Sequence, residues 1–259
     1  MGRITPFCAL ALSLGALSSC DGSAAGPNGP PAETLSEQTE TAHFVFHYSP
    51  GDAVDSTWQE AFHVWAINRL GSAPAGKIAY YKYATSAQFR GDHSRECCYA
   101  DPERRAVYTL YGCDNHEVVH VYAWQIVARP VSNFLSEGLA VAFQTDPVAG
   151  DYAPRWNGEH VHSIARSLRE SGGLIPLDDC LETSDFRRFD GNVSYPEAGS
   201  FVHYLIEFYG LDLFIDLYRR GRHDDSRAKI HSDFQSVYGF PFAEAEAGWH
   251  SFLDGWMEG

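Results

Sequence analysis

Cys113-Asp114-Asn115-His116-Glu117-Val118-Val119-His120 and, beyond a break at Pro130, Phe134-Leu135-Ser136-Glu137-Gly138-Leu139-Ala140 decide how this chain is read. Asp114 followed by Glu117 fits a capping box, so a helix is expected from about Asp114. On a helix, residues i and i+4 stand one above the other on the same face. His116 and His120 have that spacing, and two imidazoles so held can share one tetrahedral metal ion. Glu117, beside the first of them, can reach a water on such an ion as a general base. The capping box accounts for Glu117 on structural grounds but leaves the two histidines unexplained. Residues 118–128 are almost wholly apolar, so the helix is expected to be buried on most sides. Buried imidazoles need partners, and a shared metal would be one. Glu137, 17 positions after His120, is the candidate third ligand. Spacing alone does not place it. About nine residues, or ~13 Å, run from His120 to the turn, whereas Asn133 to Glu137 covers only ~6 Å. The site closes only if the two helices cross obliquely or the first ends early.

The rest of the chain reads as a small sheet followed by many helices. Phe44, Phe46 and Tyr48 alternate onto one face, a strand signal that Pro50 and Gly51 end. Asp55 or Ser56 can cap a helix with Trp58, Phe62, Trp65 and Leu70 inward and Gly71 as its stop. Further strands are expected at 77–83 and 106–111, with irregular chain at 84–104. Later helices are expected near 156–170, 196–208, 211–220, 225–237 and 242–254, with 174–190 extended or looped. His160 and His162, if both helical, would point about 200° apart and could not share a metal. A sheet followed by helices is the α+β class. The chain has 259 residues, 44% of them apolar, enough for one sizeable core in a domain spanning 43–259.

What precedes that domain looks like a targeting segment. Residues 1–19 read as a signal peptide: Arg3 opens it, and residues 7–17 form an apolar run too short to span a bilayer. It ends in Leu17-Ser18-Ser19-Cys20, which resembles a bacterial lipobox. The resemblance implies cleavage before Cys20 and lipidation of its thiol. Residues 20–42 read as a disordered linker, because 21–42 lack aromatics and are rich in Gly, Pro, Ser, Ala and Glu. Such a tether reaches on the order of 70 Å. The expectation is an exported, membrane-anchored lipoprotein facing the periplasm or cell exterior. Asp+Glu outnumber Lys+Arg by 34 to 19, a formal charge of -15, which repels phosphate backbones and argues against nucleic-acid partners. Four cysteines remain in the domain, Cys97, Cys98, Cys113 and Cys180, and an exported chain is expected to pair them in two disulfides. Adjacent cysteines rarely bond each other. Cys97 and Cys98 are therefore expected to pair with Cys113 and Cys180, in either order. A bond to Cys113 would pin the chain three residues before His116.

HExxH at 116–120, with Phe134-Leu135-Ser136-Glu137-Gly138-Leu139-Ala140 after it, resembles the gluzincin zinc metallopeptidases of the peptidase MA-like superfamily, with Phe134 in the place of their Trp. The likeness is close over 116–140 and weaker over 195–210 and the strand at Phe44. It implies a zincin-like α+β domain binding Zn2+ through His116, His120 and Glu137. It also implies cleavage of a peptide or protein substrate, with Glu117 assisting attack by zinc-bound water. Gly138 leaves no side chain beside the third ligand, so two helices can pack closely there. Tyr195, in Ser194-Tyr195-Pro196-Glu197-Ala198-Gly199, is similar to the tyrosine that stabilises the oxyanion in related aminopeptidases, but its spacing to the glycine is one residue longer. A packing tyrosine at a helix start is its other reading. The Gly-rich motif by which those enzymes hold a substrate amine is not found, so a free N-terminus is not implied. By the same resemblance, the strand at 106–111 would form the edge of the cleft. The competing readings are a non-catalytic surface lipoprotein using the fold as a binding module, and a zinc-stabilised structural domain.

Overall fold

The computed structural model describes residues 35–95 and 97–258. The expected signal peptide, Cys20 and most of the expected linker lie outside them. In chain order the elements are β1 (Glu37–Glu40), β2 (Phe44–Tyr48), α1 (Ser56–Leu70), β3 (Ile78–Lys82), α2 (Ser86–His93), β4 (Tyr99–Asp101) and β5 (Ala106–Thr109). Then come α3 (Asn115–Val127), α4 (Asn133–Ala142), β6 (Arg155–Trp156), β7 (Glu159–His160) and α5 (Val161–Ser171). A 3-10 turn at Leu177–Asp179 leads to α6 (Thr183–Phe186), α7 (Gly191–Tyr209), α8 (Leu211–Arg220), α9 (Arg227–Tyr238) and α10 (Phe242–Gly255). The chain is α+β, a small N-terminal sheet followed by a mainly helical part.

The sheet runs β1-β2-β3-β5-β4, with β2, β3 and β5 parallel in the middle and β1 and β4 antiparallel at the edges. Its period-two alternation divides the side chains between two faces. Phe44, Phe46, Ile78, Tyr80 and Val107 join α1 and α3 in the main core. Tyr83, Ala106 and Tyr108 point the other way and are covered by Phe89 of α2 and by Leu35.

Several expectations change. β1 falls within the span expected to be linker. Glu37-Gln38-Thr39-Glu40 has no apolar residue, but an edge strand needs only main-chain pairing, here with 45–48. Residues 84–104 are not irregular: the Thr85 hydroxyl accepts from Gln88 N at 3.2 Å and starts α2, and β4 follows. Because β4 takes the outer position, β5 is paired on both sides and cannot be the cleft edge expected at 106–111. Asp190 caps α7 by accepting from Asn192 N at 2.9 Å. The helix therefore starts before Pro196 and takes Tyr195 into its interior.

One part of the expected cysteine pairing is corrected. Cys180 is a free, buried thiol and pairs with neither of the adjacent cysteines, whose own sulfurs lie in close contact. Cys180 lies among the helices, its Sγ donating to Leu177 O at 3.2 Å, and burial pushes its thiol well up. Cys113, itself disulfide-bonded, belongs to the sheet side. The Thr109 hydroxyl touches both Cys98 Sγ (3.4 Å) and the carboxylate of Asp114 (2.6 Å).

Two packing features set the height of α4 against α3. Ala128 takes a left-handed conformation (φ 49°) and ends α3 at Val127, so His120 is ~10 Å from the helix end rather than ~13 Å. α4 then packs against α7 at two glycines. A Cβ on Gly138 would stand 2.6 Å from Val202 Cγ2 and 3.0 Å from Ala198 O. One on Gly199 would stand 2.2 Å from Val141 Cγ1. Gly199→Val is therefore expected to cost at least about 1–3 kcal/mol by overpacking, read as a lower midpoint in thermal denaturation.

Glu197, also on α7, is buried. Its Oε2 accepts from Ile175 N at 3.1 Å, and its Oε1 has no partner. Burial pushes this carboxyl up to about 8, opposed by the bond from Ile175 and aided by Glu246. In the unfolded chain it ionises near its ordinary value of 4.5. Between those values the unfolded state holds fewer protons than the folded one, so this group's stabilisation is full below 4.5 and is lost as pH rises to about 8. Urea denaturation across that window should show Glu197→Gln with a shallower fall in stability than the wild type.

Candidate metal centre

The first turn of α3 is fixed from three directions. Asp114 Oδ1 accepts from Glu117 N (3.2 Å), Oδ2 accepts from the Thr109 hydroxyl at the end of β5, and Asp114 N donates to Gln59 Oε1 of α1 (3.1 Å). From that turn His116 and His120 project one above the other, their rings 5.0 Å apart. α4 brings Glu137 against both. His116 Nε2 to Glu137 Oε2 is 3.0 Å, His120 Nε2 to Glu137 Oε2 is 3.3 Å, and the two Nε2 atoms are 3.3 Å apart.

This triangle can be tested against a metal. Ligand atoms at ~2.0–2.1 Å from a tetrahedral zinc stand about 3.3 Å from one another. The three observed edges fit that figure, and the donor set of two imidazoles and a carboxylate suits zinc. Among the described residues, this is the one group of three such side chains close enough to hold an ion. Each imidazole has an outer partner. Gln144 Oε1 lies 3.4 Å from His116 Nδ1, and Ser136 Oγ lies 3.2 Å from His120 Nδ1. With Nε2 turned to an ion, each Nδ1 keeps its proton and donates outward.

The electrostatics are those of mutually compensating charges. Burial opposes ionisation of Glu137, but the two imidazoles outweigh it and hold the carboxyl down at about 2. Burial likewise opposes charge on His116, yet the hydrogen bond to Glu137 prevails and its pKa lies above the ordinary value. Glu117 is buried on the same turn, close enough for its charge to act on His116.

Tyr195 joins the cluster from α7. Its ring centroid is 6.0 Å from that of His116, 5.3 Å from Trp156 and 5.4 Å from Phe186. The structure thus brings His116, Glu117, His120, Glu137 and Tyr195 to one place. Trp156, on β6, walls the site beside His116; nothing in its sequence context marks it. Gln144 and Ser136 were legible in principle. Gln144 is seven residues after Glu137, and Ser136 is adjacent to it.

His160 and His162 lie 5.0 Å apart, closer than two helical residues at that spacing, because His160 caps α5 instead of belonging to it. His160 Nδ1 accepts from His162 N (3.0 Å), and the His162 ring bonds Ser200 (2.8 Å) and His203 (3.0 Å). Their role is to tie α5 to α7.

No protein-family model matches the chain, and no curated protein matches it. Solved structures do. A two-domain M1 zinc metallopeptidase bound to L-tryptophan matches with 13% identity and a TM-score of 0.49, covering 86% of this chain and 51% of that one. An M1 zinc metallopeptidase from Deinococcus radiodurans matches with 13% identity and a TM-score of 0.48, covering 86% and 52%. The Deinococcus radiodurans enzyme bound to a Tyr-Ser-Ala substrate matches with 13% identity and a TM-score of 0.49, over the same shares. The chain spans about half the length of these proteins.

If Glu137 closes the triangle, Glu137→Ala should lose zinc affinity by more than about 100-fold, beyond the range seen for outer partners alone. Competition with a chromophoric chelator measures this, and wild-type affinity in the variant would remove Glu137 from the ligand set.

Proposed function

We propose that the chain is a zinc-dependent hydrolase, a metallopeptidase acting on a peptide or protein substrate. The observation that carries this reading is the triangle of His116 Nε2, His120 Nε2 and Glu137 Oε2, with edges of 3.0–3.3 Å, and a buried glutamate on the first ligand's own turn. A zinc ion bound by His116, His120 and Glu137 would supply a Lewis acid and acidify a water near neutrality. Glu117 would be the base that takes a proton from the attacking water and returns it to the leaving amine. Tyr195, beside His116, donates from its hydroxyl to the oxygen that gains charge as the carbonyl carbon becomes tetrahedral. β4, as the outer strand of the sheet, lends main-chain groups to align an extended substrate. The Leu17-Ser18-Ser19-Cys20 sequence supports a site of action outside the cytoplasm, on a lipid anchor at Cys20.

Glu117→Gln is expected to keep zinc while losing at least about 10²-fold in turnover. Tyr195→Phe should lower kcat by about 10²-fold with zinc content intact. Digestion of a mixed peptide library by the zinc-loaded protein, with and without chelator, reads both. Turnover in Glu117→Gln equal to the wild type rejects the mechanism. Peptide binding without cleavage by the zinc-loaded wild type favours the binding-module reading.

A further inference from the structure

We propose that Trp156 is a specificity-determining residue of this centre: its indole is the wall against which a side chain flanking the scissile bond packs, and it selects peptides that carry an apolar, above all an aromatic, residue there. The proposal rests on the hydrolase reading above and names the substrate class for that site. The Trp156 ring stands beside two groups of the centre. It is 6.3 Å from the His116 ring and edge-on to it, and 5.3 Å from the Tyr195 ring, inclined to it by 30°. The side chains of His116 and His120 keep 11% and 13% of their surface exposed, so the cluster opens to solvent. In the hydrolase reading the attacked carbonyl lies between the cluster and the Tyr195 hydroxyl. Its carbon is bonded to a Cα about 1.5 Å away, so a side chain next to the scissile bond begins within reach of the rings that flank the reaction. Trp156 is one of those rings.

The surface that Trp156 offers is apolar. Its one polar side-chain atom, Nε1, is buried without a hydrogen-bond partner, while the residue as a whole is half-buried. Whatever the indole presents outward is therefore hydrocarbon. The aromatic wall continues through Tyr195 to Phe186, their rings 5.4 Å apart. Aromatic side chains pack on such a wall offset or edge-on, with an attraction beyond the area they bury. An indole face also attracts cations, and Glu159 lies opposite Trp156 across the hairpin. Glu159 is exposed, where water and salt screen its charge, so the apolar contact decides. The wall is also held in place. β6 and β7 pair at Arg155–His160 and Trp156–Glu159. The two residues between them, Asn157 and Gly158, have left-handed φ values of 53° and 85°, the conformation of a tight hairpin turn. Arg155 N donates to Gln144 O at 2.9 Å, and the Gln144 side chain is itself the outer partner of His116. The hairpin is thus tied to the segment that orients the first histidine.

The test uses the zinc-loaded full chain. Cleavage sites in a mixed peptide library, read by mass spectrometry, give the residues that flank the cut. kcat/KM is then measured on peptides with Phe, Leu, Ala or Lys at those positions. The wild type should favour Phe over Ala at one flanking position by at least about tenfold. Trp156→Ala should lose far more kcat/KM on the Phe peptide than on the Ala peptide, and Trp156→Phe, which keeps an aromatic wall, should retain most of the preference. Equilibrium binding of the same peptides to Glu117→Gln, alone and combined with Trp156→Ala, reads the contact apart from turnover and should show the same selective loss. If Trp156→Ala does not fold, Trp156→Leu takes its place and should lower the ratio of Phe to Leu. An unchanged preference in these variants, or a loss shared equally by all peptides as a merely structural role would give, overturns the proposal. A wild-type preference for Lys overturns it as well. A wild type that cuts peptides without regard to the flanking residue removes the wall and keeps the hydrolase. One that binds the Phe peptide through Trp156 but cuts nothing removes the hydrolase and keeps the wall, and one that neither binds nor cuts overturns both.

Discussion

The close approach of α4 to α7 at Gly138 and Gly199 is the contact on which the site depends. α4 carries Glu137 and α7 carries Tyr195, and both must meet histidines on α3. With no side chain at Gly138 or Gly199, Val202, Ala198 and Val141 fill the space that a Cβ would occupy. The two helices sit at a separation that only glycine permits at those points. That separation fixes how far Glu137 projects towards His116 and His120. It also places the Tyr195 ring beside His116.

Burying two imidazoles and a carboxylate in one place is costly unless their charges compensate. Here they do. The imidazoles hold Glu137 ionised, and Glu137 raises His116. A metal ion would take over that compensation and displace protons from the imidazoles, so its binding is coupled to pH and to the stability of the fold. The outer partners Gln144 and Ser136 keep both rings aimed inward and limit the search a metal would face.

The start of α3 receives comparable support. Asp114 is capped onto the helix, bonded to Thr109 of the sheet and held by Gln59 of α1. Cys98 touches the same threonine, and the chain at Cys113 is disulfide-bonded one residue away. The sulfur-rich corner therefore braces the entry to the metal-binding helix from the β4 side. A covalent brace at this end was legible in the cysteine count, whereas the free state of Cys180 was not. Cys180, the expected partner of one of the adjacent pair, is folded into the helical half instead.

The two histidines and Glu117 could be read from sequence because they lie within one helical turn, where backbone geometry alone dictates who faces whom. The α+β order was legible for a similar reason: period-two alternation at Phe44, Phe46 and Tyr48 and long amphipathic runs afterwards are local signals. β1 escaped notice because an edge strand of Glu and Gln is held by main-chain bonds that leave no hydrophobic trace. Glu137 was identified by its neighbours, yet the spacing of straight helices argued against closure. An early left-handed stop at Ala128 and the glycine contact between α4 and α7 resolve that conflict. Tyr195 and Trp156 reach the centre from segments outside the two metal-site helices. By itself, then, the sequence determined the chemistry available on a single turn. Only the tertiary structure decided which distant side chains complete it, because their positions follow from how helices pack and not from residue spacing.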